Sequence, residues 1–197
     1  KLHLCRISCQ ESLMLIRNAQ EMGLAVTADV AIHQLFFDED SINNFNSDYH
    51  VMPPFRTSED LISLQKAICD DTVTAICSDH QPHNADAKQA PFSNTQPGIS
   101  SIELLIPLLM DLVDSGLIDL NSAIAKVTTN PAAILGIKSG VIEKGAAADL
   151  CILKTEKWVF KESSIISLGK NTPFIGKNFN TFVDKTICNG KIIYEKK

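Results

Sequence analysis

The reading turns on VTAICSDHQPH, residues 73–83. Its first five residues form an apolar run of the kind expected for a strand in a parallel sheet covered on both faces. The run gives way to Ser78-Asp79-His80-Gln81-Pro82-His83, a polar loop at the C-terminal end of that strand. In (β/α)8 barrels, active-site residues gather at this rim. Asp79 has the chemistry to ligate a metal or to act as general base on a metal-bound water, and His83 to hold an anionic substrate. A plainer interpretation makes Asp79 a turn cap and both histidines solvated loop residues. The Asp-His-x-Pro-His arrangement at a strand end favours a site or the remnant of one.

Working outward, residues 2–7 alternate as a strand, with His3, Cys5 and Ile7 on one face and Leu2, Leu4 and Arg6 on the other. His3 reads as a satisfied core residue before it reads as a ligand. Arg6 is either a buried guanidinium in need of a carboxylate or a surface arginine at the strand end. Residues 11–22 carry helical spacing (Leu13, Ile16, Ala19, Met22) and stop at Gly23. Residues 24–30 form a second strand, with His33 and Gln34 just beyond it; His33 is a ligand or orients a neighbour, and glutamine is a poor zinc ligand. Residues 38–48 read as a polar loop, and residues 49–56 (YHVMPPFR) start extended until Pro53-Pro54 stops them. Ser58 caps a helix to about residue 70, residues 84–98 are a loop, residues 99–113 and 120–127 are helices, and residues 128–137 turn through Asn130-Pro131 into a short helical stretch. Past Gly140 the texture is all β, with Asn189-Gly190 a strong hairpin signal. The division is therefore 1–137, an α/β barrel portion of about four strands with their helices, and 138–197, part of a small β-sandwich.

The chain has 197 residues, 45% of them hydrophobic and 21% charged, with a formal net charge of −5. This is the balance of a globular protein that does not take nucleic acid as its main partner. No apolar run reaches the roughly 18 residues of a membrane span. A cytoplasmic location is expected: the opening KLHLCRIS is strand-like and lacks a signal-peptide pattern. A start one residue before a core strand, without Met, points to a fragment or the ordered part of a longer protein. Of the six cysteines (Cys5, Cys9, Cys69, Cys77, Cys151, Cys188) none forms a C-x-x-C pair, and buried free thiols are expected. The sequence has no G-x-S-x-G elbow and no Gly-rich phosphate loop.

Several segments together resemble dihydroorotase, which interconverts carbamoyl-aspartate and the cyclic amide dihydroorotate. VTADVAIHQLFF resembles the family's T-A-D-V-T-P-H-H-L segment, YHVMPPFR its N-x-K-V-N-P-P-L-R, and AICSDHQPH its A-I-A-T-D-H-A-P-H. APFSNTQPGISSIELLIPLL resembles the A-P-F-G-x-x-G-x-E-T loop and the helix after it, while TTNPAAILGI and GVIEKGAAADLCIL resemble closing segments shared with related cyclic amidases. The resemblance covers essentially the whole chain. It implies the C-terminal half of a TIM-type (β/α)8 metal-dependent hydrolase barrel plus part of a β-sandwich. It makes Asp79 the proton acceptor and a metal ligand, His83 the group that binds the substrate carboxylate, and Pro97-Gly98 the backbone that lines the pyrimidine ring.

Two positions depart from the family pattern. The strand-five C-H-V-S, whose histidine binds metal, is here Cys5-Arg6-Ile7-Ser8, and the second histidine of His-His-Leu is here Gln34. The family asparagine before Pro-Pro is Met52. Arginine has no lone pair for zinc, so the zinc of the family is not expected to be held normally here; Arg6 is expected to occupy the metal's place and pair with Asp79. LHLCRIS with HQL resembles the non-catalytic dihydroorotase homologues that accompany aspartate transcarbamoylase in some bacteria. That implies a cytoplasmic structural partner of the transcarbamoylase, with no nucleic acid or membrane partner. The alternatives are an active zinc dihydroorotase with altered ligands, acting on dihydroorotate or carbamoyl-aspartate, and a small-molecule binding barrel. Open strand edges imply a homo-oligomer or complementation by a missing N-terminal half.

Overall fold

The computed structural model describes residues 1–196. Its first half alternates strand and helix. β1 (Leu2–Leu4), β2 (Val26–Ala31) and β3 (Ala75–Cys77) form a parallel sheet in the order β1-β2-β3, with His3 opposite Thr27 and Asp29 opposite Ala75. All three C-terminal ends point the same way, so the segments that follow them share one rim.

α1 (Gln10–Glu21) connects β1 to β2 and buries Leu13 and Ile16. It closes on Gly23, whose φ of +75° is a left-handed conformation natural to glycine. α2 (Ser58–Cys69) starts one residue earlier than expected. Thr57, not Ser58, is the N-cap, and its hydroxyl and the Asp60 carboxylate bond reciprocally in a capping box. α3 (Leu105–Asp114), α4 (Leu120–Val127) and α5 (Thr129–Leu135) complete this part.

Residues 49–52, expected only to start extended, join neither sheet, and β2 pairs directly with β3. Pro53 and Pro54 offer no N–H to a ladder. The segment turns its backbone elsewhere: the His50 carbonyl accepts from Gly98 N at 2.7 Å, and Val51 packs with Phe55 and Ile99. The helix expected from residue 99 begins at Leu105, because Ile99 bridges to His80 and the N–H groups of Ser101 and Ile102 are spent on the His80 ring. The cysteines are free but not buried: Cys5, Cys69, Cys151 and Cys188 are exposed, and Cys9 and Cys77 are partly covered.

The tail is a three-stranded antiparallel sheet of β4 (Leu150–Val159), β5 (Asn178–Cys188) and β6 (Lys191–Glu195), and the β5–β6 hairpin turns at Asn189-Gly190 as expected. Its aromatic side chains do not form a core of their own. Phe160, Phe174 and Phe179 join Val30, Ile76, Leu64 and Leu108 in one apolar cluster that runs from the parallel sheet through the helices into the tail. Among the described residues, no helix is long and apolar enough to cross a membrane.

Candidate active site

The rim is assembled from the residues just past the three parallel strands. Arg6 follows β1, His33 and Gln34 lie in a 3-10 turn (Ile32–Leu35) that continues β2, and Asp79 follows β3. Arg6 (φ +57°) and Asp79 (φ +44°) both adopt the left-handed region. That turn of the backbone ends the strand alternation at β1, so Arg6 does not share a face with Leu2 and Leu4 as expected. It reaches across the sheet instead.

The guanidinium Nη1 donates to Asp79 Oδ1 at 3.3 Å and to the Met52 carbonyl at 3.4 Å. Both bonds are long, and 43% of the arginine side chain faces solvent against 9% of the aspartate's. Asp79 Oδ1 also accepts from Gln81 Nε2 at 2.9 Å. Its other oxygen lies 4.0 Å from His33 Nε2. His33 is buried, and its Nδ1 has no hydrogen-bond partner. Burial drives its pKa down to about 4, against the opposing pull of the Asp79 charge, so the ring is neutral at pH 7. Gln34 is buried too, but its amide is committed to the Pro53 carbonyl at 2.9 Å.

The other end of the segment is held from the tail. Asn171, which is buried, accepts the His83 N–H at 2.7 Å and donates to the carbonyls of Gln81 (3.1 Å) and Gly98 (2.8 Å). His83 Nε2 donates to the Pro97 carbonyl at 3.0 Å, so the structure does bring His83, Pro97 and Gly98 together. Close packing enforces the arrangement: a Cβ on Gly169 would lie 2.4 Å from the His83 nitrogen, and one on Gly98 the same distance from Gln81 Cβ. His80 points away from Asp79. Its Nδ1 accepts from Ser101 N and Ile102 N, both at 3.0 Å, which places the proton on Nε2, 3.3 Å from the Ser167 hydroxyl. Ser167 in turn donates to Glu103 at 2.7 Å. Burial would raise the Glu103 pKa; hydrogen bonds from Ser167 and Ile166 outweigh it and hold the carboxyl below its usual range.

Asp29 was missed by sequence reasoning. It sits in the middle of β2 and is buried, and it accepts from the Arg6 backbone N–H at 2.8 Å, the Cys77 thiol at 3.3 Å and the His3 ring at 2.9 Å. A carboxylate inside an apolar strand must find such partners; that requirement was the available signal. Asn171, Ser167 and Glu103 left none, being distant in sequence from the loop they hold.

Chemically, the rim offers a carboxylate neutralised by an adjacent cation, a neutral buried imidazole, and guanidinium N–H groups still turned to solvent. A cation 3.3 Å from the carboxylate opposes a metal ion at that carboxylate, and the Gln34 amide nitrogen is taken by the Pro53 carbonyl. The residues present do not fit the paired metal centre that the dihydroorotase resemblance implies.

A family model described as the amidohydrolase family matches residues 3–193. The chain is 44% identical over 193 residues to a dihydroorotase-like protein of Pseudomonas putida, covering 95% of this chain and 46% of that protein. It is 37% identical to a dihydroorotase of Syntrophus aciditrophicus, over 99% of this chain and 46% of that one. Among solved structures, an L-hydantoinase (dihydropyrimidinase) from Arthrobacter aurescens superposes with a TM-score of 0.91 at 25% identity, over 98% of this chain and 45% of that chain. A dihydropyrimidinase from Brevibacillus agri gives 0.92 at 21% identity, over 99% and 45%. The chain thus spans about half the length of the curated relatives it matches.

Proposed function

Because the chain belongs to the amidohydrolase family, we propose that it is part of a dihydroorotase-like protein of pyrimidine biosynthesis that has lost cyclic amide hydrolysis and serves as a cytoplasmic structural partner of aspartate transcarbamoylase. In this reading β1, β2 and β3 are part of a TIM-type barrel closed by an upstream half or a second copy. The observation that carries it is the Arg6 guanidinium 3.3 Å from Asp79. A fixed positive charge stands where the resembled family has a ligand imidazole. The hydroxide nucleophile of that family depends on its metal; without the ion no group at this rim supplies one. His83, Pro97 and Gly98 keep their mutual contacts, which supports a retained scaffold.

A second reading, an active zinc dihydroorotase with altered ligands, draws on His33. Its ring is neutral at pH 7 and its buried Nδ1 is unpartnered.

Metal analysis and dihydroorotate hydrolysis by the full-length protein separate the two. Zinc at the rim with turnover at a typical enzyme rate overturns the first reading. The expected result is no turnover, with co-purification of the transcarbamoylase. The paired substitution Arg6→His and Gln34→His should then increase zinc bound beside Asp79.

A further inference from the structure

Below the rim, a different set of side chains has the composition of a metal site. We propose that His3, Cys5, Asp29 and Cys77 bind one thiophilic divalent cation of the zinc class, separate from the rim at Asp79.

The register brings these groups together. His3 lies opposite Thr27 on the neighbouring strand, two residues before Asp29, and Asp29 lies opposite Ala75, two residues before Cys77. Alternation turns Asp29 and Cys77 away from Val30 and Ile76, which face the helical core. The ligand atoms of His3, Cys5 and Asp29 all lie within 4.8 Å of one another. Tetrahedral zinc, with bonds of about 2.0 Å to nitrogen and 2.3 Å to sulfur, needs roughly 3.3–3.8 Å between ligand atoms. A contraction of about 1 Å at the widest pair reaches that range, by side-chain rotation on fixed strands. The Cys77 thiol lies outside that cluster but 3.3 Å from Asp29 Oδ1, and rotation of its side chain brings it in as the fourth ligand.

The surroundings agree. His3 Nδ1 is held by the Thr27 hydroxyl at 2.8 Å, which fixes the ring and directs Nε2 at the Asp29 carboxylate, 2.9 Å away. Ligand histidines are oriented by a bond at their other nitrogen in this way. The Nε2 proton and the Cys77 thiol proton both converge on Asp29, and these are the protons an ion displaces when imidazole and thiolate become ligands. Two thiolates, an imidazole and a carboxylate suit zinc over magnesium or calcium, which prefer all-oxygen shells.

The test is titration of the protein with zinc by equilibrium dialysis and with cadmium by ultraviolet absorption. One ion per chain with a thiolate-to-cadmium charge-transfer band is expected, with affinity falling on the order of 100-fold in Cys5→Ser and in Cys77→Ser. Asp79→Asn should leave both unchanged. The proposal is overturned by a wild type without the band, by a band that survives the double Cys5→Ser and Cys77→Ser substitution, or by loss of the ion in Asp79→Asn, which would assign it to the rim. Cadmium NMR of the wild type needs no variant: a chemical shift for two bound sulfurs supports the site, and fewer overturns it. Failure here leaves the reading of Arg6 at the rim untouched.

Discussion

Asp79 and His83 stand four residues apart in one loop, yet different physics holds them. Asp79 meets a half-exposed arginine through a single long contact, beside a histidine that makes no hydrogen bond through its Nδ1. His83 meets Asn171, a buried amide with every polar atom paired to backbone, and glycines packed too closely for a Cβ. The first arrangement is loosely paired, with only the arginine turned to solvent; the second is tightly packed and fully hydrogen-bonded around Asn171. Shape at the rim is maintained by the tail, whereas the chemistry rests on side chains that contribute little to holding it. A change at the chemical end is therefore expected to leave the scaffold standing.

Three measurements sharpen or break that contrast, from the largest expected effect down. Asn171→Ala leaves the buried Gly98 carbonyl and the part-buried His83 N–H and Gln81 carbonyl without their partner and should destabilise the fold by on the order of 4 kcal/mol. Urea unfolding measures it, and a loss below about 1 kcal/mol would remove the distinction between the two ends. Acidification comes next. His33 has a folded pKa near 4, below its unfolded value of about 6.5, so its contribution is full above pH 6.5 and is lost as the pH falls toward 4. His33 alone should account for about 3 kcal/mol of the loss, and His33→Gln should reduce the slope by that share, leaving the part from His50, which burial also lowers. The lowered carboxyls of Asp60, Asp70 and Glu103 add their own loss only near and below about pH 4, which keeps the windows apart. Smallest is the rim ion pair. Arg6→Met should shift stability by less than about 1 kcal/mol, and a double-mutant cycle with Asp79→Asn should give a coupling no larger. A coupling of several kcal/mol would make Arg6 a structural element of the scaffold.

What could be read beforehand was whatever leaves a local pattern. The apolar runs at β2 and β3, the spacing of α1 and α4, and the Asn189-Gly190 hairpin each follow from neighbours in sequence. The approach of Arg6 to Asp79 was anticipated only through the resemblance, which puts a metal-binding histidine at position 6 and the proton acceptor at Asp79. Contacts made across distance were hidden. Residues 49–52 look extended, but their backbone bonds to the loop near Gly98 and leaves β2 beside β3. The start of α3 depends on His80, some twenty residues earlier, taking two N–H groups. Nothing near Asn171 announces that it fastens a loop ninety residues upstream.

The left-handed backbone at position 6 has one more consequence. Arginine is not a favoured occupant of that conformation, whereas histidine and asparagine visit it several-fold more often than most residues. The main chain is therefore already shaped for an imidazole at this point, and restoring one demands no rebuilding of the loop. Arg6→His therefore asks only for a change of side chain at a backbone angle that histidine adopts readily.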